Sequence, residues 1–328
     1  VWVVLTLGSS VGSGPPAIVV LTALGFLAPA AALSAVSPLV TKLRLESLDE
    51  TGTVVGSLSA WGTGGALFGV FTTGFVLVAA WPTKPIVIAL GGVLVALGGA
   101  MTFRSSRRAP SGALAVVVLV SFGAGLSSQS PCEFESAYFC GRVIVDSEDE
   151  SLRWLVLDDL VHAAVDLDDP DVVPLRYVRL LAAVVDARPP GVLDVAHVGG
   201  GGFTLPAYVS RTRPGSTNTV FEIDDVLLGV ARDELGFVPD DRFSVVVGDA
   251  RLGLTDLATD SHDVVIGDAF GGPAVPWHLT TTEFVAEIAR VLRPDGVYAM
   301  NLIDGGANEF SEWQIRTIAA NFDHVAVV

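Results

Sequence analysis

The sequence predicts two architectures in one chain: a multi-pass α-helical membrane bundle, then an α/β domain built on a mostly parallel sheet. Three observations predict this. Long apolar runs crowd residues 1–128, charge segregates to residues 129–328, and short apolar strands alternate there with amphipathic helices. Of the 328 residues 51% are hydrophobic and the mean hydropathy is +0.57, outside the usual range of soluble domains. Residues 1–128 hold six Lys/Arg and three Asp/Glu, whereas residues 129–328 hold thirteen Arg, no Lys and thirty-three Asp/Glu. An acidic half of this kind repels phosphate backbones, which excludes nucleic acid as a partner. It attracts organic cations, polyamines included, although solubility alone also accounts for acidity.

A bilayer core needs about 20 apolar residues as helix. Residues 18–40 and 53–80 satisfy this, residues 86–103 are near the minimum, and residues 112–126 span only by recruiting 127–130. Residues 1–7 read as the tail of an earlier helix, and both ends of the chain read as cut, residues 325–328 within a strand. No polar face recurs at a helical period in these runs, so the expected partner is a lipid bilayer. Gly56, Ala60, Gly64, Gly65, Gly69 and Gly74 predict close helix packing. No charge lies inside a span, so nothing favours transport.

Lys42 and Arg44 follow one span, and Arg104, Arg107 and Arg108 follow another. The positive-inside rule places both loops in the cytoplasm. If residues 112–130 cross, the acidic half lies outside, where Cys132 and Cys140 can pair; a re-entrant segment leaves it inside. The side of the cell membrane stays open.

The remainder divides into a β-strand and linker segment, residues 129–185, and an α/β domain, residues 186–328. Residues 142–145 and 154–157 read as strands, 166–171 as a solvated turn, and 175–185 as an amphipathic helix. After Pro189-Pro190-Gly191, strands at 192–198, 219–223, 243–247, 263–267 and 297–302 alternate with helices at 204–211, 226–235, 282–292 and 312–321. That alternation predicts a parallel sheet covered on both faces, with ligands at the strands' carboxyl ends. Chemistry-bearing residues stand there. Gly199-Gly200-Gly201-Gly202 opens a helix, where glycines bring peptide N–H groups close to a ligand. Glu222, beside Ile223, ends the second strand, where a carboxylate binds ribose hydroxyls. Asp249, before Ala250, and Asp268 end the third and fourth. The unbroken glycine run departs from G-x-G-x-x-G and suits an S-adenosyl ligand better than a dinucleotide. His197 reads as core, His262 and His324 as surface, and Asp224 and Asp225 as helix caps.

At these residues the chain resembles the spermidine synthase family, in its membrane-fused, spermidine-synthase-like branch. The resemblance runs over about residues 154–328. It is carried by Val198-Gly199-Gly200-Gly201-Gly202, Phe221-Glu222-Ile223-Asp224, Val247-Gly248-Asp249-Ala250 and Asp263-Val264-Val265-Ile266-Gly267-Asp268. Leu157-Asp158-Asp159-Leu160-Val161-His162 and Val275-Pro276-Trp277-His278-Leu279 support it. It implies a Rossmann-like fold of the class I methyltransferase type, with a small β segment before it. It also implies decarboxylated S-adenosylmethionine as co-substrate, a polyamine or other small amine as acceptor, no metal, and a homodimer.

Asp268 then corresponds to the catalytic base. Gly199, Gly200, Gly201, Gly202, Glu222, Ile223, Asp249 and Ala250 hold the nucleoside. His162, Tyr177, Trp277 and His278 face the acceptor. Gly202 stands where the family has an Asp that holds the aminopropyl amine, Gly271 about where it has a second Asp, and His162 where it has Gln. This depletion of carboxylates keeps two alternatives open: methyl transfer from S-adenosylmethionine, and a non-catalytic nucleotide- or polyamine-sensing membrane protein.

Overall fold

Alternation of burial along each strand sets the layering of the α/β domain. Val195 and His197 face one side of the sheet, Ala196 and Val198 the other, and all four are buried. The period of two follows from the pleat. The computed structural model describes residues 15–106, 123, 126, 127, 130, 132–305 and 307–328. The chain separates into two units, Val1–Pro131 and Cys132–Val328.

The described part of the first unit contains three helices long and apolar enough to cross a membrane: α1 (Pro15–Arg44), α2 (Leu48–Ala80) and α3 (Thr83–Ser106). Each helix runs beyond the apolar stretch the sequence predicts, into the polar residues that flank it. Single π-turns interrupt α1 at Ala23–Leu27 and α2 at Thr73–Leu77. Large apolar side chains such as Trp61, Phe68 and Phe75 point outward. A Cβ built at Gly56, Gly64, Gly65, Gly69 or Gly74 would meet nothing within 4 Å. The close packing expected of these glycines is therefore not formed among the described residues, because no second helix approaches that stripe. Residues 1–7, most of the span expected at 112–126, and Arg107 and Arg108 lie outside the described residues.

The second unit opens with a four-stranded antiparallel meander: β1 (Phe134–Glu135), β2 (Cys140–Val145), β3 (Leu152–Leu157) and β4 (Leu160–Asp166). A disulfide joins Cys132 to Cys140 across its first turn. Strand β4 pairs with β3 from Leu160 to Asp166, and the solvated turn begins only at its end. There Asp166 Oδ1 accepts from the amides of Asp168 and Asp169.

After α4 (Arg176–Asp186) comes the parallel sheet: β5 (Asp194–Val198), α5 (Thr204–Thr212), β6 (Thr217–Glu222), α6 (Asp225–Glu234), β7 (Phe243–Val247), α7 (Ala250–Thr255), β8 (His262–Gly267), α8 (Thr282–Val291), β9 (Leu292–Met300) and α9 (Glu309–Ala319). Its spatial order is β7-β6-β5-β8-β9. The chain thus leaves β5 in one direction through β6 and β7, then returns to its other side with β8. That reversal opens a crevice beyond the β5 and β8 tips. Residues 325–328 form no strand, since no neighbouring ladder among the described residues takes up their backbone groups.

Three apolar clusters fix the layers. Helices α4 and α5 pack on the Val195, Val264 and Ile266 face. Helices α7 and α8 pack on Ala196, Val198 and Val265. The meander packs through Leu155, Leu157 and Ala163 against Phe203 and α6. His197 is core as expected, 1% exposed, with Nε2 2.9 Å from Asn218 Oδ1. His262 departs from its expected surface position. It is buried, with Nδ1 2.8 Å from Ser261 Oγ, because it is the first residue of β8.

Phe284 on α8 is 1% exposed at the centre of one cluster. Its replacement by Ala should destabilise the α/β unit by about 3–5 kcal/mol. Urea unfolding of the full chain followed by tryptophan fluorescence measures this.

Candidate active site

Register brings the strand tips level. Val198 pairs with Phe221 and Gly267, Glu222 with Val247, and Gly267 with Met300. The next residues, Gly199, Ile223, Gly248 and Asp268, therefore line one crevice, and Asn301, just past β9, bonds Asp268. The cleft encloses about 620 Å³ of non-atom space, open solvent at its mouth included. Its lining includes Gly199, Gly201, Glu222, Ile223, Asp249, Ala250, Asp268, His162 and His278. Gly200 and Gly202 line a smaller open recess on the inner side of the glycine loop, about 380 Å³ of non-atom space with open solvent included. Both cavities share His162 and Asp268, and Tyr177 joins the inner one.

The loop's shape is dictated atom by atom. Gly199 has φ +100°, and a Cβ there would stand 2.6 Å from the Asp268 carbonyl oxygen, so only glycine closes β5 on β8. The Glu222 carboxylate then holds the loop. Its Oε2 accepts from the Gly200 amide at 2.8 Å and the Gly201 amide at 3.0 Å, while Oε1 accepts from Asp224 at 2.9 Å. Burial pushes its pKa up, and the three amides act against that rise. Asp224 in turn caps α6 as expected, its Oδ1 accepting from the Val226 amide. At Gly202 a Cβ would lie 2.4 Å from the Ala163 Cβ. A side chain there would require β4 or the loop to shift.

Asp249 caps α7, its Oδ1 accepting from the Arg251 amide at 2.8 Å, and turns Oδ2 toward His278 Nε2 at 3.2 Å. Arg251 ties the following loop down, donating to the His278 carbonyl and to Thr281 Oγ1 at 2.8 Å. Three residues of one 3-10 turn separate here. Leu279 is buried, His278 faces Asp249, and Trp277 is 79% exposed. Trp277 is therefore not brought to the crevice, contrary to the expectation that it faces substrate, because the turn that points His278 inward turns the indole to solvent.

Asp268 lies deepest. Its Oδ1 accepts from Asn301 Nδ2 at 2.9 Å. Burial pushes its carboxyl up to about 7, against the hydrogen bond from Asn301 and the polar Tyr177 hydroxyl beside it. The Tyr177 hydroxyl donates to the His162 carbonyl at 2.8 Å and stands beside the Asp268 carboxylate. Burial first, then the Asp268 charge, pushes that phenol up. Burial also lowers the His162 pKa, so its ring is neutral near pH 7. His162 Nε2 is buried without a hydrogen-bond partner. Asn301 is the functional residue that sequence reasoning misses: read as interior to a strand over 297–302, it is the first residue past the tip of β9.

No protein-family model matches the chain. Among curated proteins, the polyamine aminopropyltransferase of Vibrio vulnificus is 32% identical over 129 residues, 38% of this chain and 42% of that protein. The polyamine aminopropyltransferase of Chromobacterium violaceum is 26% identical over 195 residues, 56% of this chain and 74% of that protein. The eEF1A lysine and N-terminal methyltransferase of Danio rerio is 32% identical over 120 residues, 34% of this chain and 17% of that protein. The chain thus spans less than half of the Vibrio relative. A solved structure of a probable spermidine synthase from Corynebacterium glutamicum superposes with a TM-score of 0.55 at 25% identity, covering 60% of this chain and 72% of that one.

Overpacking at the loop is directly testable. Gly202→Ala should destabilise the unit by about 1–3 kcal/mol, and Ala163→Gly in the same chain should recover most of the loss. Melting temperatures of the two variants beside the parent decide it.

Proposed function

For a Cys132–Val328 unit that belongs to the spermidine-synthase-like family, we propose aminopropyl transfer from decarboxylated S-adenosylmethionine to an amine. The observation that carries this is the alignment of Glu222, Asp249 and Asp268 at successive strand tips around one crevice. The adenosine lies along the outer part. One ribose hydroxyl donates to the acceptor site left on Glu222 Oε1, and the adenine amino group donates to Asp249, taking the place His278 holds. The glycine loop lets the sulfur and its substituents approach the backbone closely.

The reaction is an in-line displacement. The amine lone pair attacks the aminopropyl methylene bonded to the sulfonium sulfur, the C–S bond breaks, and its electron pair returns to sulfur to leave methylthioadenosine. The amine's proton passes to Asp268. The leaving group departs neutral, so the protein's work is to orient the two reactants and keep the nucleophile unprotonated. A buried carboxyl near 7 suits that task, being half ionised at neutral pH.

A second reading has one observation in its favour. Gly202, packed against Ala163, supplies no carboxylate beside the nucleoside's tail, which suits methyl transfer from S-adenosylmethionine. Its discriminating measurement is calorimetry with both nucleosides: preference for the decarboxylated form argues against it. We also propose that α1, α2 and α3 cross a bilayer, because their outward apolar surface has no other sink.

The full chain incubated with decarboxylated S-adenosylmethionine and an amine should release methylthioadenosine. Nucleoside binding without that product contradicts transfer. Turnover should rise with pH through about 7 as Asp268 ionises. Asp268→Asn should lower kcat by about 10²–10⁴-fold with nucleoside affinity retained. The stability effect runs the other way. A carboxyl raised from 3.8 to about 7 in the folded chain stabilises it fully below 3.8, and that contribution is lost as pH rises through about 7. Above neutral pH, Asp268→Asn should therefore stabilise the unit, by on the order of a few kcal/mol.

A further inference from the structure

We propose that the disulfide-closed strap Cys132–Cys140 forms one wall of the nucleoside end of the crevice, with Tyr138 and Phe139 facing the nucleoside, so that affinity there depends on the Cys132–Cys140 bond. The inference rests on the nucleoside reading of the crevice and adds the residues and the bond that complete that end. Two observations place the strap at the site. Phe139 lines the crevice together with Glu222, Asp249 and Asp268, its ring centroid 5.7 Å from that of His162. Tyr138, half exposed, stands in the field of Asp224, Asp249, Asp225 and Glu222. Burial first, then those charges, pushes its phenol up.

Hydrogen bonds aim the two rings. Ser136, midway between the cysteines, accepts on Oγ from the Tyr138 amide at 3.1 Å and the Phe139 amide at 3.0 Å. Its hydroxyl donates to Asp224 Oδ2 at 2.5 Å, and the Asp224 amide in turn donates to Glu222. The turn that carries the rings is thus tied to the carboxylate that shapes the glycine loop. Cys140 is fixed by its backbone, which donates to Asp158 Oδ1 at 3.1 Å and accepts from the Asp158 amide at 2.8 Å. The other limb of the strap runs through β1, a two-residue edge strand, where the Glu133 amide donates to the Gly141 carbonyl at 2.9 Å. So short a strand is marginal by itself. The disulfide joins positions eight apart and removes the freedom this limb would otherwise have.

An aromatic ring on that wall gives the nucleoside an apolar face to lie on. Opening the bond lets the strap leave its place part of the time, and apparent affinity falls with the fraction of time it is seated. The step is a thiol–disulfide exchange. A dithiol reductant delivers two electrons and two protons, the Cys132–Cys140 bond opens to two thiols, and the reductant closes its own disulfide.

The full chain in detergent is titrated with methylthioadenosine by calorimetry when oxidised, after dithiothreitol, and after reoxidation, with alkylation and mass spectrometry counting the thiols. The expected result is a Kd raised at least about tenfold on reduction and recovered on reoxidation. The double variant Cys132→Ser, Cys140→Ser should bind as the reduced parent does and ignore the reductant. With the disulfide intact, Ser136→Ala should also weaken binding, whereas Ser136→Thr, which keeps the hydroxyl, should not. Three results overturn the inference and leave the nucleoside reading standing: equal affinity of oxidised and fully reduced chains, a reductant effect that persists in the double variant, or loss of the circular dichroism signal on reduction. Absence of binding by the oxidised parent overturns the nucleoside reading and this one with it.

Discussion

The crevice depends on one buried carboxylate. Glu222 is 5% exposed and both of its oxygens accept backbone amides, two from the glycine loop and one from the turn into α6. A carboxylate accepting several N–H groups is held in one orientation, and those amides oppose the rise in its pKa that burial causes. It thereby staples the β5–α5 loop to the β6 tip. The glycines are the other half of that staple, since Gly199 reaches the Asp268 backbone with a clearance no Cβ tolerates. Were the carboxyl group absent, the Gly200 and Gly201 amides would lose their acceptor and the loop would lose what holds its shape.

From that fixed loop the crevice acquires two unlike ends. The outer end, with Glu222, Asp249 and His278, is rich in groups that accept from hydroxyl and amino donors. The inner end gathers Asp268, Tyr177, His162, His197 and Thr204 with the glycine backbone, beside Leu205, Pro206 and Ile266. Desolvation there works for the chemistry proposed: it lifts Asp268 into the range where a carboxylate takes up a proton near neutral pH. The same desolvation makes any additional charge expensive.

Much of this was legible from residue order alone. Glu222, Asp249 and Asp268 were readable because each follows a short apolar run, and a strand tip is a local property of sequence. The cap at Asp224 and the core position of His197 were readable for the same reason. What escaped depends on distant contacts. Asn301 was hidden by a strand boundary set two residues too late. The position of Trp277 is decided by a 3-10 turn pinned by Arg251 from another element. The closed space at Gly202 exists only because β4 brings Ala163 against it. Nor does composition indicate that His262 is buried, since its environment is made by the neighbouring strands.

The central claim is that the strand-tip carboxylates surround an adenosine bearing a sulfur substituent. Titration of the full chain with methylthioadenosine by calorimetry tests it most directly. Saturable one-site binding, weakened at least about a hundredfold by Glu222→Ala through loss of the loop and the ribose contact, is the result the account predicts. The absence of any binding heat for methylthioadenosine and for S-adenosylmethionine alike would contradict it.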